Sequence, residues 1–155
     1  MLFKKIFVFL LLFFGTVFIG AQDNLPVFPE QLEQRKEIKK LIVVTLDRQL
    51  LAYYENGKLI SCYPISSGKK GRSTPVGEFK IVNKTPNGFS KKYKSPMPWT
   101  MALNELYAIH AGELPGYPDS HGCIRLSNEN AQELYNWAEI GTKVLIIGSL
   151  GILKK

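Results

Sequence analysis

The stretch LIVVTLDRQLLAYYENGKLISCYPIS (Leu41–Ser66) decides the fold class. Leu41–Leu46 and Gln49–Glu55 are short runs rich in β-branched and aromatic residues, and polar Asp47-Arg48 lies between them. Asn56-Gly57 follows, a pair suited to the two positive φ angles of a tight hairpin turn, and Lys58–Ser66 returns as a third strand. A β-meander is therefore expected here.

Working outward, Ser67–Pro75 reads as a glycine-rich basic loop and Gly77–Asn83 as a strand. Lys84–Trp99 holds three prolines, a glycine and three aromatics, and reads as a long loop of the kind that forms lids or binding surfaces. Leu106–His110 is an expected strand, Ala111–Ser120 a turn-rich loop, and Cys123–Leu126 a short strand. Ser127 is a suitable N-cap for a helix to about Ala138, with Ala131, Leu134, Trp137 and Ala138 on its buried side and Gly141 ending it. Lys143–Gly148 closes the sheet. About seven strands and one or two helices predict a mostly-β sandwich or barrel with a packed helix.

The remainder bounds the class. With 155 residues the chain holds one ordinary domain, and 45% hydrophobic and 21% charged residues are globular values. Residues 1–21 form an expected signal peptide: Lys4-Lys5, an apolar run from Ile6 to Ile19, then Gly20-Ala21. This predicts an exported protein, periplasmic or facing the cell wall. Membrane attachment is expected only if the segment stays uncleaved. Residues 22–40 read as a linker and a short helix, 41–149 as the folded domain and 150–155 as a tail. The net charge of +7 becomes +5 without Lys4 and Lys5 (18 basic against 13 acidic), which suits anionic polymers or simple solubility. No nucleic-acid motif accompanies the charge, so nucleic acid is not an expected partner.

The chemistry concentrates near the end. The chain has two histidines and two cysteines, and His110, His121 and Cys123 fall within fourteen residues. A nearby imidazole can take a thiol proton and hold the thiolate as an ion pair. Gly122 lets the backbone turn sharply beside the sulfur, so that successive N–H groups can form an oxyanion hole. Two other readings use the same residues: a Cys62–Cys123 disulfide, and zinc held by His110, Asp119, His121 and Cys123.

His110-Ala111-Gly112 and Ser120-His121-Gly122-Cys123-Ile124-Arg125-Leu126 resemble the signature of the L,D-transpeptidase catalytic domain family (YkuD-like, with the ErfK, YbiS, YcfS and YnhG proteins). Ser73-Thr74-Pro75-Val76-Gly77-Glu78-Phe79 resembles that family's strand entry. The resemblance implies a β-sandwich with one packed helix near the C-terminus, acting on donor and acceptor stem peptides of peptidoglycan without a cofactor or metal. It implies Cys123 as nucleophile, forming a thioester with release of D-alanine, and His110 as base. An amine then takes the acyl group; with water the outcome is carboxypeptidase-type hydrolysis, and without turnover the domain is a wall-binding module. His121, Gly122 and Ser120 are implied to shape the site or donate to the oxyanion, Ser120 serving equally as a turn residue. Arg125 either meets a substrate carboxylate or pairs with an internal acid. Two departures stand out. Ala111 offers no side chain to orient His110, so a backbone carbonyl or another group must do so. Asn130 stands where the family often has aspartate.

Overall fold

The computed structural model describes residues 39–148. The expected signal peptide, the linker with its helix up to residue 38, and the tail lie outside the described residues. Nine strands and one helix are formed within them: β1 (Lys40–Thr45), β2 (Leu50–Glu55), β3 (Lys58–Pro64), β4 (Gly77–Lys80), β5 (Asn83–Ser90), β6 (Ser95–Ala102), β7 (Ala108–Ala111), β8 (Ile124–Leu126), α1 (Asn128–Trp137) and β9 (Lys143–Ile147). They build two sheets, ordered β3-β2-β1-β9-β4 and β5-β6-β7-β8. The pairs β1–β9 and β7–β8 are parallel; the others are antiparallel.

The meander forms as expected. Asn56 and Gly57 take φ of 51° and 77°, the two positive angles that a right-twisted hairpin needs. Side-chain alternation then sorts the central strands. Ile42 and Val44 face Tyr53 and Leu51 on one side and Val144 and Ile146 on the other, and all six are buried in the main core. The second sheet adds Met101, Ile109, Ile124 and Leu126 to that core, and the helix adds Ala131 and Leu134. Fully burying each Ile or Leu contributes about 1.5–3 kcal/mol.

Ser127 caps the helix, its hydroxyl accepting from the Asn130 N–H. Gly141 does not end it. The helix stops at Trp137 because Ala138 turns to extended backbone, and Gly141 serves the following turn at φ 92°. Two lysines from the strands satisfy the exposed carbonyls of the last turn. Lys84 Nζ donates to the Tyr135 and Ala138 carbonyls, both at 2.6 Å, and Lys40 Nζ donates to that of Trp137 at 2.8 Å. Positive charge at a helix C-terminus opposes the macrodipole favourably. Burial and the nearby Lys40 hold the Lys84 ammonium below its ordinary pKa, with Glu139 acting in the opposite sense. Lys84→Met should therefore cost roughly 1–2 kcal/mol, read as a drop of several degrees in Tm by thermal denaturation.

Three further expectations change. Lys84–Trp99 is not an unstructured loop; most of it belongs to the β5–β6 hairpin, which turns through Lys91–Lys94. The strand expected over Gly77–Asn83 is divided between the sheets: β4 ends at Lys80, Ile81 bonds to Thr142 and Gly141, and Val82 donates to Ala102. Strand β7 starts at Ala108 rather than Leu106, because Asn104 Oδ1 accepts from the N–H groups of both Leu106 and Tyr107 and folds that segment into a turn. Leu106 is left 75% exposed.

Candidate active site

The site lies on strands β7 and β8. Their parallel register sets Ile109 beside Ile124, His110 beside Arg125 and Ala111 beside Leu126. Ile109, Ala111, Ile124 and Leu126 point into the core, so His110 and Arg125 share the opposite face. Cys123 immediately precedes β8, one step back along the register, beside Ala108. The Ala108 backbone pulls the pKa of its thiol downward. Cys123 thus lies two positions before the register partner of His110, on the same face of the sheet.

His110 is buried, and its Nδ1 lies 2.8 Å from the carbonyl oxygen of Ala111. A carbonyl only accepts, so Nδ1 carries the proton and Nε2 keeps the lone pair a base needs. The backbone of Ala111 thereby supplies the orientation its side chain cannot. Burial lowers the His110 pKa; the Ala111 bond raises it and Arg125 lowers it further. Burial raises the Cys123 thiol, with the Ala108 backbone and Arg125 pulling it back. Both net shifts run toward the uncharged forms, neutral imidazole and thiol.

The turn before the sulfur is held from several sides. Ser120 is fully buried; its hydroxyl donates to the Cys123 carbonyl at 2.5 Å and accepts the Gly122 N–H at 3.0 Å. Both groups are therefore committed to the turn, and the Gly122 N–H is not directed at an incoming oxygen. Gly122 has φ 118°, and a Cβ there would lie 2.7 Å from the Tyr107 ring. Only glycine fits without strain.

The basic glycine loop docks directly on this turn. Lys69 N donates to the Ser120 carbonyl, Ser120 N to that of Ser67, and Arg72 N to that of Lys69. Ser66 and Arg125 exchange backbone bonds of 3.1 and 3.0 Å, tying the chain that leaves β3 to β8. Arg125 pairs with Asp119 at 3.4 Å, and its aliphatic stem covers Gly112, where a Cβ would come within 2.9 Å of it. Of its two expected uses, the internal pair is present.

His121 is exposed and stacks on Tyr93, with centroids 4.3 Å apart and planes at 11°. Arg72 Nη1 donates to the Tyr93 hydroxyl at 2.9 Å. Desolvation, then the cations Arg72, Lys69 and Arg125, hold His121 below its ordinary pKa, while Asp119 raises it. Tyr93, from the β5–β6 turn, thus belongs to the rim of the site. Trp99 stands apart, packing on Tyr135 and donating to Asn128. Cys62 and Cys123 are both free thiols, Cys62 being on β3 of the other sheet. Among the described residues no group of three or more His, Cys, Asp or Glu side chains converges as a metal site would require.

The family model described as the L,D-transpeptidase catalytic domain (YkuD) matches residues 39–146. The chain belongs to that family. Within it, the chain is 38% identical over 110 residues to the YkuD protein of Bacillus licheniformis, covering 68% of this chain and 64% of the relative. It is 29% identical over 161 residues to the ErfK/SrfK protein of Escherichia coli K12, covering 86% and 52%. The solved L,D-transpeptidase of Stackebrandtia nassauensis superposes with a TM-score of 0.69 at 29% identity, over 73% of this chain and 57% of that one. The chain thus spans less than two thirds of the length of these relatives. The mostly-β fold of two sheets and one helix is that of the L,D-transpeptidase domain.

The sequence reading missed Thr74, buried beneath the turn, and the Tyr93–His121 stack. Thr74 lay inside the quoted strand-entry motif; Tyr93 lay in the segment expected to form a lid or binding surface, where it was one of three aromatics.

Proposed function

We propose that this domain is an exported cysteine acyltransferase that acts on peptidoglycan stem peptides. The observation that carries the reading is the β7–β8 register, which puts an imidazole oriented by a backbone carbonyl on the sheet face that Cys123 shares, two positions from it along the adjoining segment. Family membership supports the substrate class.

The steps follow from these groups. His110 Nε2 takes the Cys123 proton as sulfur attacks the carbonyl between the L-centre of the stem's diamino acid and the following D-alanine. The oxyanion collapses, the C–N bond breaks, and His110-H⁺ protonates the departing amine. D-alanine leaves and a thioester remains on Cys123. An acceptor amine then attacks the thioester carbonyl and gives up its proton through His110, and the thiol is restored. Water in place of the amine gives hydrolysis to a shortened stem. Export is supported by the basic and apolar layout of residues 1–21, with residues 41–149 as the catalytic unit.

Intact mass spectrometry after mixing with a tetrapeptide stem tests the reading. The expected adduct is the stem minus D-alanine, lost again on adding an amine acceptor, with crosslinked dimers or exchanged D-amino acids as products. Shortened stems alone would assign hydrolysis. Binding of wall material with no D-alanine released would assign a non-catalytic module.

A further inference from the structure

Thr74 is 4% exposed and lies six residues after Gly68, beneath the catalytic turn. Its hydroxyl has two partners: Oγ1 accepts the Gly68 N–H at 2.8 Å and donates to the Gly122 carbonyl at 2.9 Å. Gly68 is as constrained as Thr74, since a Cβ there would lie 2.1 Å from the Arg72 carbonyl oxygen and 2.6 Å from the Thr74 nitrogen. The loop thus presents one buried hydroxyl to one carbonyl of the turn.

That carbonyl belongs to the peptide unit whose N–H is on Cys123. The described peptide bonds are all trans, so the C=O of Gly122 and the N–H of Cys123 point in opposite directions from one plane. Holding the carbonyl toward Thr74 fixes the Cys123 N–H toward the other side. Glycine at 122, at φ 118°, offers little resistance to rotation of that plane by itself. With the Gly122 N–H already held by Ser120, the nucleophile's own amide stands next to the sulfur as a donor able to meet an oxyanion.

We infer that Thr74 is a positioning residue: its hydroxyl orients the Gly122–Cys123 peptide so that the Cys123 N–H stabilises the oxyanion formed on acylation. The inference rests on acyl transfer at Cys123, though not on the identity of the acyl donor.

The test compares acylation with alkylation. Acylation by p-nitrophenyl acetate or by a tetrapeptide stem passes through an oxyanion; alkylation by iodoacetamide does not. Thr74→Val should slow the p-nitrophenolate burst and stem acylation roughly ten- to a hundredfold, less than outright loss of an oxyanion donor (about 10²–10³). Alkylation of Cys123 should stay within about threefold of the unmutated rate, and Thr74→Ser should restore acylation. Unchanged acylation in Thr74→Val would overturn the inference. So would an equal fall in alkylation, which marks damage to the thiol's surroundings. Should Thr74→Val fail to fold by circular dichroism, Thr74→Ala removes the same hydroxyl without adding a methyl; failure of both to fold assigns the hydroxyl to stability and overturns the proposal. A burst with p-nitrophenyl acetate but no adduct with the stem sinks the substrate reading and leaves Thr74's role standing. No burst in the unmutated chain sinks the inference itself.

Discussion

Replacing Cys123 with alanine is expected to abolish the acyl-enzyme and lower turnover on the order of 10⁵–10⁶-fold, the scale on which covalent enzymes lose rate without their nucleophile. No other described group can take over. Cys62, the one other thiol in the sequence, sits on β3 in the opposite sheet, and burial raises its pKa. The half-buried thiol at position 123 contributes little to the core, so the melting temperature should move by only a few degrees. Cys123→Ser should be nearly as inactive, because a hydroxyl is harder to deprotonate than a thiol and His110 is a base weakened by burial. Cys62→Ala supplies the control and should retain activity. Mass spectrometry of each variant with the tetrapeptide stem decides the matter. A thioester on the Cys123→Ala variant would end the assignment.

Which parts of this molecule could be read from sequence follows from the range of the forces involved. The meander over Leu41–Ser66 was legible because strand composition and the Asn56-Gly57 turn are local signals. The helix was legible from Ser127 and the spacing of Ala131 and Leu134. The β5–β6 hairpin was not, since Pro86, Pro96 and Pro98 argue against strands wherever both ladders must be filled. Here they need not be. Pro86 lies on β5, an edge strand, and β7 pairs only with Met101 and Ala102, leaving the Ser95–Thr100 part of β6 bonded to β5 alone. The crossing between sheets at Ile81 was hidden for a different reason: residues on both sides of the switch keep strand composition.

The site divides along the same line. Scarcity made His110 and Cys123 stand out, and the missing side chain at Ala111 already required a substitute orienter, supplied by that residue's own carbonyl. Their protonation states were not legible. The burial that moves both groups toward their uncharged forms appears only once β7 and β8 are in place. Thr74 meets Gly122 across 48 positions of chain, so its contact was beyond any local pattern.

Replacing His110 with alanine should lower stem acylation by about 10²–10⁴-fold, the usual contribution of a positioned general base. The pH dependence distinguishes this role from simple support of the fold. Burial holds the imidazole below its ordinary value near 6.5, so the unmutated rate should be level through neutrality and fall only at more acid pH, as protonation removes the base. In His110→Ala that acid limb should disappear, and the residual rate should climb with pH as the raised Cys123 thiol ionises. Stability should follow the same group. An unfolded histidine protonates near 6.5 and the folded one at lower pH, so the unfolded chain binds more protons between those values. The stabilisation is complete above about 6.5 and is lost as pH falls through the folded value. His110→Ala should therefore show a flatter dependence of Tm on pH across that window. Alkylation of the unmutated Cys123 that stays fast and level down to pH 5 would reveal a preformed thiolate, and the general-base account of His110 would have to be abandoned.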